Sequence, residues 1–317
     1  MKLGILGTAD IALRRFLPAL KNCTEIEYAG VASRTPEKGL IFQEQFGGIV
    51  YPSYDALLED PAIDAVYVPL PPALHYEWGR KVLESGKHLL MEKPFTTSLS
   101  QTEALLALAK EKGLAVHENY MFLYHSQLKT IRDLMADGTV GDLRLIRASF
   151  GFPKRGGNDF RYVRSLGGGA LLDCGGYPLR LAMELLGPDT KIVQSSLSQP
   201  AEYEVDLFGS AVLQNAGGIC CQISFGMDNA YQCQLEIWGS QCTIIASRIF
   251  TAGAGVQPTI TLRFSNGAEE RTLEPDDQFL HSIERFLASC RGQGREEIYA
   301  AIARQSGLVE TVRNQNS

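Results

Sequence analysis

The sequence contains no apolar run of the roughly 20 residues that a transmembrane helix needs, and no run of Lys or Arg that would form a basic stripe. Its formal net charge of -6 gives the chain no general attraction for a phosphate backbone. The first residues lack the charged, apolar and small-residue segments of a secretory signal. We therefore expect a cytoplasmic protein that binds neither a membrane nor a nucleic acid.

Metal-binding patterns are also absent from the sequence. The seven cysteines are odd in number, and none of them forms a C-x-x-C pair or clusters with histidines. Reduced thiols in a protein core fit this distribution better than disulfides or zinc ligands. We expect no structural metal.

The length and the apolar pattern predict two α/β domains. At 317 residues the chain exceeds the roughly 250–300 residues at which single cores stop growing. The first third alternates short apolar runs with amphipathic stretches, which is the βαβ succession of a doubly wound parallel sheet covered by helices. The predicted strands lie at 3–6, 26–32, 49–51, 65–68, 88–91 and 114–116.

The pattern changes after residue 120, where strands with turn signals dominate from 191 to 273. They predict an α+β domain with a large, predominantly antiparallel open sheet. Helices are expected at 124–136, 173–186, 276–290 and 296–313. We therefore predict domains at 1–120 and 121–317, and we allow the C-terminal helix to pack back on the first domain.

The first predicted strand is followed by a G-x-A-x-x-A pattern at 7–12. Small residues at this turn let backbone N–H groups and a helix N-terminus approach a pyrophosphate. The predicted cofactor contacts are Gly7, Thr8, Ala9, Asp10 and Ile11. The alternative is an ordinary βα turn of another doubly wound fold, because six residues are a weak signal.

The end of the second strand has no acidic residue where an NAD site would bind the ribose diol. It offers Ser33, Arg34 and Lys38 instead, and arginine suits a 2′-phosphate geometrically. We therefore favour NADP(H) over NAD(H) as the cofactor. The alternative is a solvated, charged helix start.

Three prolines follow the fourth strand within four residues, at 69, 71 and 72. Pro69 and Leu70 are expected to form a wall near the nicotinamide, because ligands of open α/β sheets bind beyond the carboxyl ends of the strands. His75 follows and is assigned to the same cofactor site. The alternative for this histidine is a capping or packing role.

Two polar segments end the next two strands at the same sheet edge, Glu92-Lys93-Pro94 and Glu118-Asn119. A residue before proline is pushed out of the helical region, so the backbone of Lys93 should be extended or tightly turned. Lys93 can then bind a substrate hydroxyl or move a proton, with Glu92 orienting it. Glu92, Lys93 and Asn119 are also assigned to the cofactor site. The alternative is a surface lysine in a turn.

The second domain contributes a triple glycine at 167–169, followed by Asp173 and Tyr177. A triple glycine allows a backbone to approach a ligand or another chain closely. If the segment is helical, residues 173 and 177 share one face, and the phenol is a candidate acid/base for an alcohol–ketone pair. Upstream, Arg161 lies in a polar loop at 154–162 and is a candidate phosphate or sugar contact. The alternatives are a helix cap for Asp173, a packed ring for Tyr177 and a solvated loop for Arg161.

These segments in this order resemble the Gfo/Idh/MocA oxidoreductases: the turn at 7–12, Glu92-Lys93-Pro94, and GGGALLDCGGY at 167–177. The resemblance covers nearly the whole chain. It implies an N-terminal Rossmann domain, hydride transfer between a nicotinamide and a sugar or cyclic polyol, and a C-terminal sheet that joins homodimers or homotetramers. It also implies catalytic roles for Lys93 and Tyr177, with Asp173 orienting the substrate or the pair. The sequence departs from the family pattern at Ala9, where the fingerprint has its central glycine.

Within the family, the tyrosine at 177 is similar to that of dihydrodiol dehydrogenases, glucose-fructose oxidoreductase and nucleotide-sugar 3-ketoreductases. The segments at 118–125 and 159–162 look similar to the 3-ketoreductases. We expect an NADP(H)-dependent oxidoreductase acting on a secondary alcohol or ketone of a sugar or nucleotide-sugar. One alternative is a dehydrogenase of a free aldose, inositol or trans-diol. Another is a non-catalytic sensor that binds the dinucleotide, since a fold alone does not prove a function.

Overall fold

The computed structural model describes residues 1–156 and 159–316, which form two compact units. The first unit contains Met1–Asn119 and Phe279–Ser306, and the second contains Tyr120–Gln278 and the chain from Gly307 onward. Residues 279–306 therefore belong with the first unit, whereas the prediction divided the chain at 120 and allowed only the C-terminal helix to pack back on the first domain. The reason is long-range bonding, since the Tyr299 hydroxyl donates to the carbonyl oxygen of Leu114.

The first unit is built on a six-stranded parallel sheet in the order β3-β2-β1-β4-β5-β6, which is the predicted doubly wound arrangement. Its central strands are buried because helices cover both faces. The strands are β1 (Lys2–Leu6), β2 (Glu27–Ala32), β3 (Ile49–Tyr51), β4 (Ala65–Val68), β5 (His88–Met91) and β6 (Val116–Glu118).

Two of the helices between these strands begin at a serine cap. Ser53 accepts a hydrogen bond from the backbone N–H of Ala56 at 3.0 Å, and Ser98 accepts one from Gln101 at 3.4 Å. A π-helical turn at Ala12–Phe16 precedes the first helix. The helices are α1 (Leu17–Leu20), α2 (Leu40–Phe46), α3 (Tyr54–Glu59), α4 (His75–Glu84) and α5 (Leu99–Lys112).

The second unit is built on an eight-stranded sheet in the order β14-β13-β12-β11-β7-β10-β9-β8. Only β7 and β10 pair in parallel, and every other pair is antiparallel, as predicted. The strands are β7 (Leu143–Gly151), β8 (Lys191–Ser198), β9 (Phe208–Gln214), β10 (Cys220–Gly226), β11 (Gln232–Gly239), β12 (Thr243–Ala246), β13 (Thr259–Phe264) and β14 (Gly267–Thr272).

The remaining helices are α6 (Ser126–Ala136), α7 (Gly176–Leu186), α8 (Gln278–Cys290) and α9 (Arg295–Asn314). A π-helical turn at Leu171–Gly175 leads into α7. Several predicted boundaries differ from the structure; for example, the strand predicted at 114–116 is β6, which runs from Val116 to Glu118. This shift occurs where polar residues at the strand end interrupt the apolar pattern. Among the described residues, no helix is long and apolar enough to cross a membrane.

Candidate active site

Lys93 lies in a tight turn directly after β5, and the peptide bond between Lys93 and Pro94 is cis. The side chain is half-buried, while Pro94 and Phe95 are buried. The turn is therefore part of the packed unit rather than a solvated loop. Three sets of hydrogen bonds from neighbouring elements hold it.

The first set holds the Glu92 carboxylate, which precedes the lysine. Its Oε1 accepts hydrogen bonds from the Tyr67 hydroxyl and from Nδ2 of Asn119, each at 2.7 Å. Tyr67 lies in β4, and Asn119 directly follows β6, so both neighbours of β5 contribute a donor. Asn119 thus reaches the predicted edge of the sheet, where it bonds Glu92.

A chain of buried side chains extends this contact to α8. The Ser282 hydroxyl donates to Oδ1 of Asn119 at 2.8 Å, and Nε2 of His117 lies 2.9 Å from the same hydroxyl oxygen. The Ser282 hydroxyl has one proton and donates it to Asn119, so it can only accept a hydrogen bond from His117. His117 therefore carries its proton on Nε2. All three side chains are almost fully buried. The chain orients the Asn119 amide so that its Nδ2 faces Glu92.

The second and third sets hold the turn itself. The backbone N–H of Phe95 donates to Oε1 of Glu118 at 2.8 Å, and the carbonyl oxygen of Pro94 lies 2.7 Å from Nδ1 of His75. Nε2 of His75 lies 2.7 Å from the carbonyl oxygen of Leu70, so the ring joins the chain after β4 to the chain after β5. The backbone at Lys93 is therefore tied on both sides.

His75 is fully buried, and both of its ring nitrogens face backbone carbonyls. Burial lowers the pKa of His75 to about 4, and the carbonyl contacts oppose this effect without cancelling it. Neither ring nitrogen is directed to a ligand. The geometry supports the packing alternative for this residue over the cofactor contact.

The turn after β1 has the shape that a dinucleotide needs. Gly7 has φ +104°, and a Cβ at this position would lie 2.7 Å from the Leu70 side chain. Glycine is required there for both reasons, as in the turns that bind a dinucleotide pyrophosphate. Thr8, Ala9 and Ile11 are half-buried around it, while Asp10 is exposed and paired with Arg14 at 2.6 Å.

The end of β2 is cationic, as expected. Ser33 is buried, and its hydroxyl accepts a hydrogen bond from the backbone N–H of Thr35 at 3.2 Å. Arg34 and Lys38 are exposed beside it. The residues of the first unit therefore fit NADP(H), with a glycine cradle after β1 and two exposed cations after β2. Pro69 and Leu70 are buried after β4, at the same carboxyl edge.

In the second unit, Arg161 is enclosed by two carboxylates. Its Nε donates to Asp173 at 2.8 Å, and its Nη1 donates to the two oxygens of Asp159 at 3.1 and 3.2 Å. Burial lowers the pKa of Arg161, but the charges of Asp173 and Asp159 outweigh it and raise the pKa. The guanidinium charge is thus compensated within the chain, and Arg161 orients Asp173.

The triple glycine brings two parts of the second unit together. A Cβ on Gly168 would lie 2.4 Å from the carbonyl oxygen of Arg161, and a Cβ on Gly169, at φ +118°, would lie 2.4 Å from Asp206. Asp206 in turn accepts a hydrogen bond from the backbone N–H of Leu171 at 2.7 Å, which caps the helical segment that carries Asp173 and Tyr177. The triple glycine therefore allows a close approach to other segments of the same chain.

Tyr177 is buried, and its ring is surrounded by aromatic rings of the second unit. The hydroxyl lies 3.9 Å from the Met121 sulfur. Four other rings have their centroids 5.0–5.8 Å from the centroid of the Tyr177 ring: Tyr120, Phe122, Phe150 and Phe250. This packing fixes the direction of the phenol.

Several supporting residues were missed in the sequence. Tyr67 had a weak signal, as a hydroxyl within a buried strand beside the proline-rich exit. Ser282 had none, because it is 163 residues from Asn119 in the chain. Asp206 is likewise remote from the helix that it caps.

Comparison with known proteins gives two family matches in sequence order. Residues 1–120 match the model described as an oxidoreductase family with an NAD-binding Rossmann fold, and residues 128–245 match the GFO/IDH/MocA C-terminal domain. Together the matches cover well over half of the chain.

Three relatives show how far the similarity extends. A dTDP-3,4-didehydro-2,6-dideoxy-α-D-glucose 3-reductase of Streptomyces violaceoruber is 42% identical over 99% of this chain and 94% of its own length. The crystal structure of a 3-ketoreductase from Actinomadura kijaniata, in complex with NADP and TDP-benzene, is 40% identical with a TM-score of 0.97, over 100% of this chain and 98% of the other. A D-xylose 1-dehydrogenase (NADP(+)) of Haloferax volcanii is 28% identical over 90% of this chain and 88% of its length.

Proposed function

The chain belongs to the Gfo/Idh/MocA oxidoreductases, as the sequence predicted, and we propose that it is an NADP(H)-dependent reductase that acts on the 3-keto group of a nucleotide-sugar. The observation that carries this proposal is the full-length match, at 42% identity, to a reductase named for a dTDP-linked 3-keto sugar. The cationic end of β2 and the structure of a relative with NADP support the choice of cofactor.

The reaction converts a ketone, NADPH and a proton into an alcohol and NADP⁺. Bound NADPH supplies the hydride, from C4 of its nicotinamide, that the carbonyl carbon accepts. The chain has to bind the ketone, stabilise the charge that develops on its oxygen and deliver one proton to that oxygen. Lys93 and Tyr177 are proposed for these tasks.

Lys93 binds the carbonyl oxygen through its ammonium group. A cation at that oxygen stabilises the developing alkoxide. The hydrogen bonds of Glu92, Pro94 and Phe95 support this role, because they fix the backbone from which the lysine extends. Glu92 is thus a positioning residue.

Tyr177 gives the proton of its hydroxyl to the same oxygen, and the resulting phenolate is reprotonated from solvent. The surrounding aromatic rings keep the phenol in one orientation. Asp173 orients the substrate, and Arg161 holds Asp173 by a hydrogen bond of 2.8 Å. The presence of both Lys93 and Tyr177 argues against a sensor, since binding alone requires neither.

A second candidate, a dehydrogenase of a free aldose, is favoured by the relative named as a D-xylose 1-dehydrogenase. One experiment separates the two functions: NADPH oxidation with dTDP-3,4-didehydro-2,6-dideoxy-α-D-glucose is compared with NADP⁺ reduction in the presence of D-xylose. The proposal expects turnover of the nucleotide-sugar and none of the free sugar. Turnover of D-xylose without turnover of the nucleotide-sugar would contradict the proposed reductase function and favour the aldose dehydrogenase.

We also propose that the chain forms homodimers or homotetramers through the open face of the second sheet. Ser196, Ser210, Ser224 and Ser149 align across β8, β9, β10 and β7. Small side chains allow a second sheet to approach, and Trp238 on the same face is 50% exposed. Light scattering on the wild type should give a dimer or tetramer mass, and Ser224→Arg should reduce it to the monomer mass; an unchanged mass in the variant argues against this interface.

We further propose a cytoplasmic location, which fits two diffusible substrates.

A further inference from the structure

Two cations of the second unit lie beside aromatic rings in the loop that follows β7. Nζ of Lys154 lies 4.9 Å from the centroid of the Tyr203 ring and donates a hydrogen bond to the Tyr203 hydroxyl. The guanidinium of Arg155 lies 5.0 Å from the centroid of the Phe152 ring. Both cations are exposed. We refer to Phe152, Lys154, Arg155, Tyr162 and Tyr203 as the cation–aromatic cluster.

Hydrogen bonds hold this cluster in place. The Tyr162 hydroxyl accepts from the backbone N–H of Arg155 at 2.9 Å and donates to the carbonyl oxygen of Met227 at 3.0 Å. The Tyr162 and Tyr203 rings lie 6.0 Å apart between centroids, inclined at 47°. The segment that carries the two cations is thus tied to the turn after β10.

The charges of Lys154 and Arg155 are not compensated by ion pairs. Within residues 1–156 and 159–316, no carboxylate lies within 4.0 Å of either cation. Arg161 differs, because Asp159 and Asp173 both bond it. The Asp228 charge acts on Lys154 only from beyond this distance, and the two adjacent cations provide a local site for an anion.

The position of the cluster connects it with the proposed sugar site. Arg161 directly precedes Tyr162, and its Nε contacts Asp173 at 2.8 Å. Asp173 is the residue proposed to orient the sugar. In a nucleotide-sugar the diphosphate follows the sugar and the base follows the diphosphate, so both groups must be bound away from the reacting carbon.

We propose that the cation–aromatic cluster binds the nucleoside diphosphate of the substrate, with Lys154 and Arg155 on the diphosphate and the Tyr203 ring against the base. This inference rests on the proposed function. Lysine and arginine are the usual phosphate ligands of proteins, and aromatic rings bind any nucleobase by its face. The cluster would then select nucleotide-sugars over free sugars, which lack both groups.

Calorimetric titration of the full-length protein with dTDP tests the inference. The Lys154→Gln/Arg155→Gln variant should bind dTDP at least about tenfold more weakly than the wild type, because each charged contact is worth more than a neutral one. The control variant Lys191→Gln/Arg248→Gln makes the same charge change at two exposed sites of the second unit and should bind as the wild type does. Tyr203→Ala should also weaken dTDP binding.

Three results would overturn the inference: no dTDP binding by the wild type, equal dTDP affinity of the cluster variant and the control, or a matching loss of NADPH affinity in the cluster variant. The last result would assign the cations to the cofactor. A failure of the proposed function is seen separately, as absence of hydride transfer from NADPH to any nucleotide-sugar by the wild type.

Discussion

Asn119 donates a hydrogen bond from Nδ2 to Oε1 of Glu92 over 2.7 Å, and this bond links the ends of β6 and β5. The same oxygen accepts the hydroxyl of Tyr67 from β4. The carboxylate beside Lys93 is therefore held from both neighbouring strands. Its position does not depend on a ligand, so the direction of the lysine is set by the fold.

The support behind this contact can be tested at Ser282. Its hydroxyl donates to Asn119 and accepts from His117, so Ser282→Ala leaves a buried acceptor and a buried donor without this partner. The free energy of unfolding should fall by about 1–3 kcal/mol, as measured by urea denaturation. Ser289→Ala is the control, since this serine is equally buried in α8 and its hydroxyl has no partner among the described residues. Equal effects of the two substitutions would contradict the hydrogen-bond chain.

Gly168→Ala should disturb the start of the helical segment before α7. A Cβ at this position would lie 2.4 Å from the Arg161 carbonyl oxygen, so the backbone must shift, at a cost of about 1–3 kcal/mol in stability. Turnover should fall with it, because Arg161 holds Asp173. In the control Gly217→Ala the nearest atom lies at 3.4 Å, and no change is expected. A Gly168→Ala protein of normal melting temperature would show that the two segments do not pack as described.

Tyr177→Phe separates the chemistry of the hydroxyl from the packing of the ring. The ring contacts with Tyr120, Phe150 and Phe250 remain, so the melting temperature should change little. Turnover should fall by about 10²–10⁴, the usual contribution of a positioned proton donor. Tyr231→Phe, at an exposed tyrosine of the same unit, should retain activity. A fully active Tyr177→Phe enzyme would remove the phenol from the mechanism.

The acid stability of the protein should depend on His75. Burial lowers the pKa of this residue to about 4 in the folded chain, from 6.5 in the unfolded chain. Between these two values the unfolded chain binds a proton that the folded chain does not, so stability is lost as the pH falls from 6.5 to 4. The loss assigned to His75 is about 3 kcal/mol. Urea unfolding at several pH values should give a shallower pH dependence for His75→Gln than for the wild type, and equal slopes would exclude this role.

Local features of the sequence predicted the helices and strands and some of the residues that hold the turn at Lys93. The apolar runs of β4 and β5 depend on neighbouring residues, so they could be read directly. Glu92 and Asn119 could be brought together because parallel strands end at one edge of a sheet.

The remaining contacts around the candidate site join residues that are distant in the chain. Ser282 reaches Asn119 across 163 residues, and Asp206 caps a helical segment that begins 35 residues earlier. No periodicity encodes such pairs, because they arise only when two elements pack. His75 illustrates the same limit: a histidine after a proline-rich strand exit suggested a ligand contact, while the fold places a carbonyl oxygen at each ring nitrogen.

Lys93 is the residue on which the proposed reaction depends, and Lys93→Met tests it most directly. The assay follows NADPH oxidation with dTDP-3,4-didehydro-2,6-dideoxy-α-D-glucose, alongside NADPH binding measured by fluorescence. Lys112→Met, at an exposed lysine ending α5, serves as the control. We expect turnover of Lys93→Met to fall by about 10³ or more while NADPH binding and the control remain at wild-type levels. Substantial turnover by Lys93→Met would contradict the assignment of this lysine to catalysis.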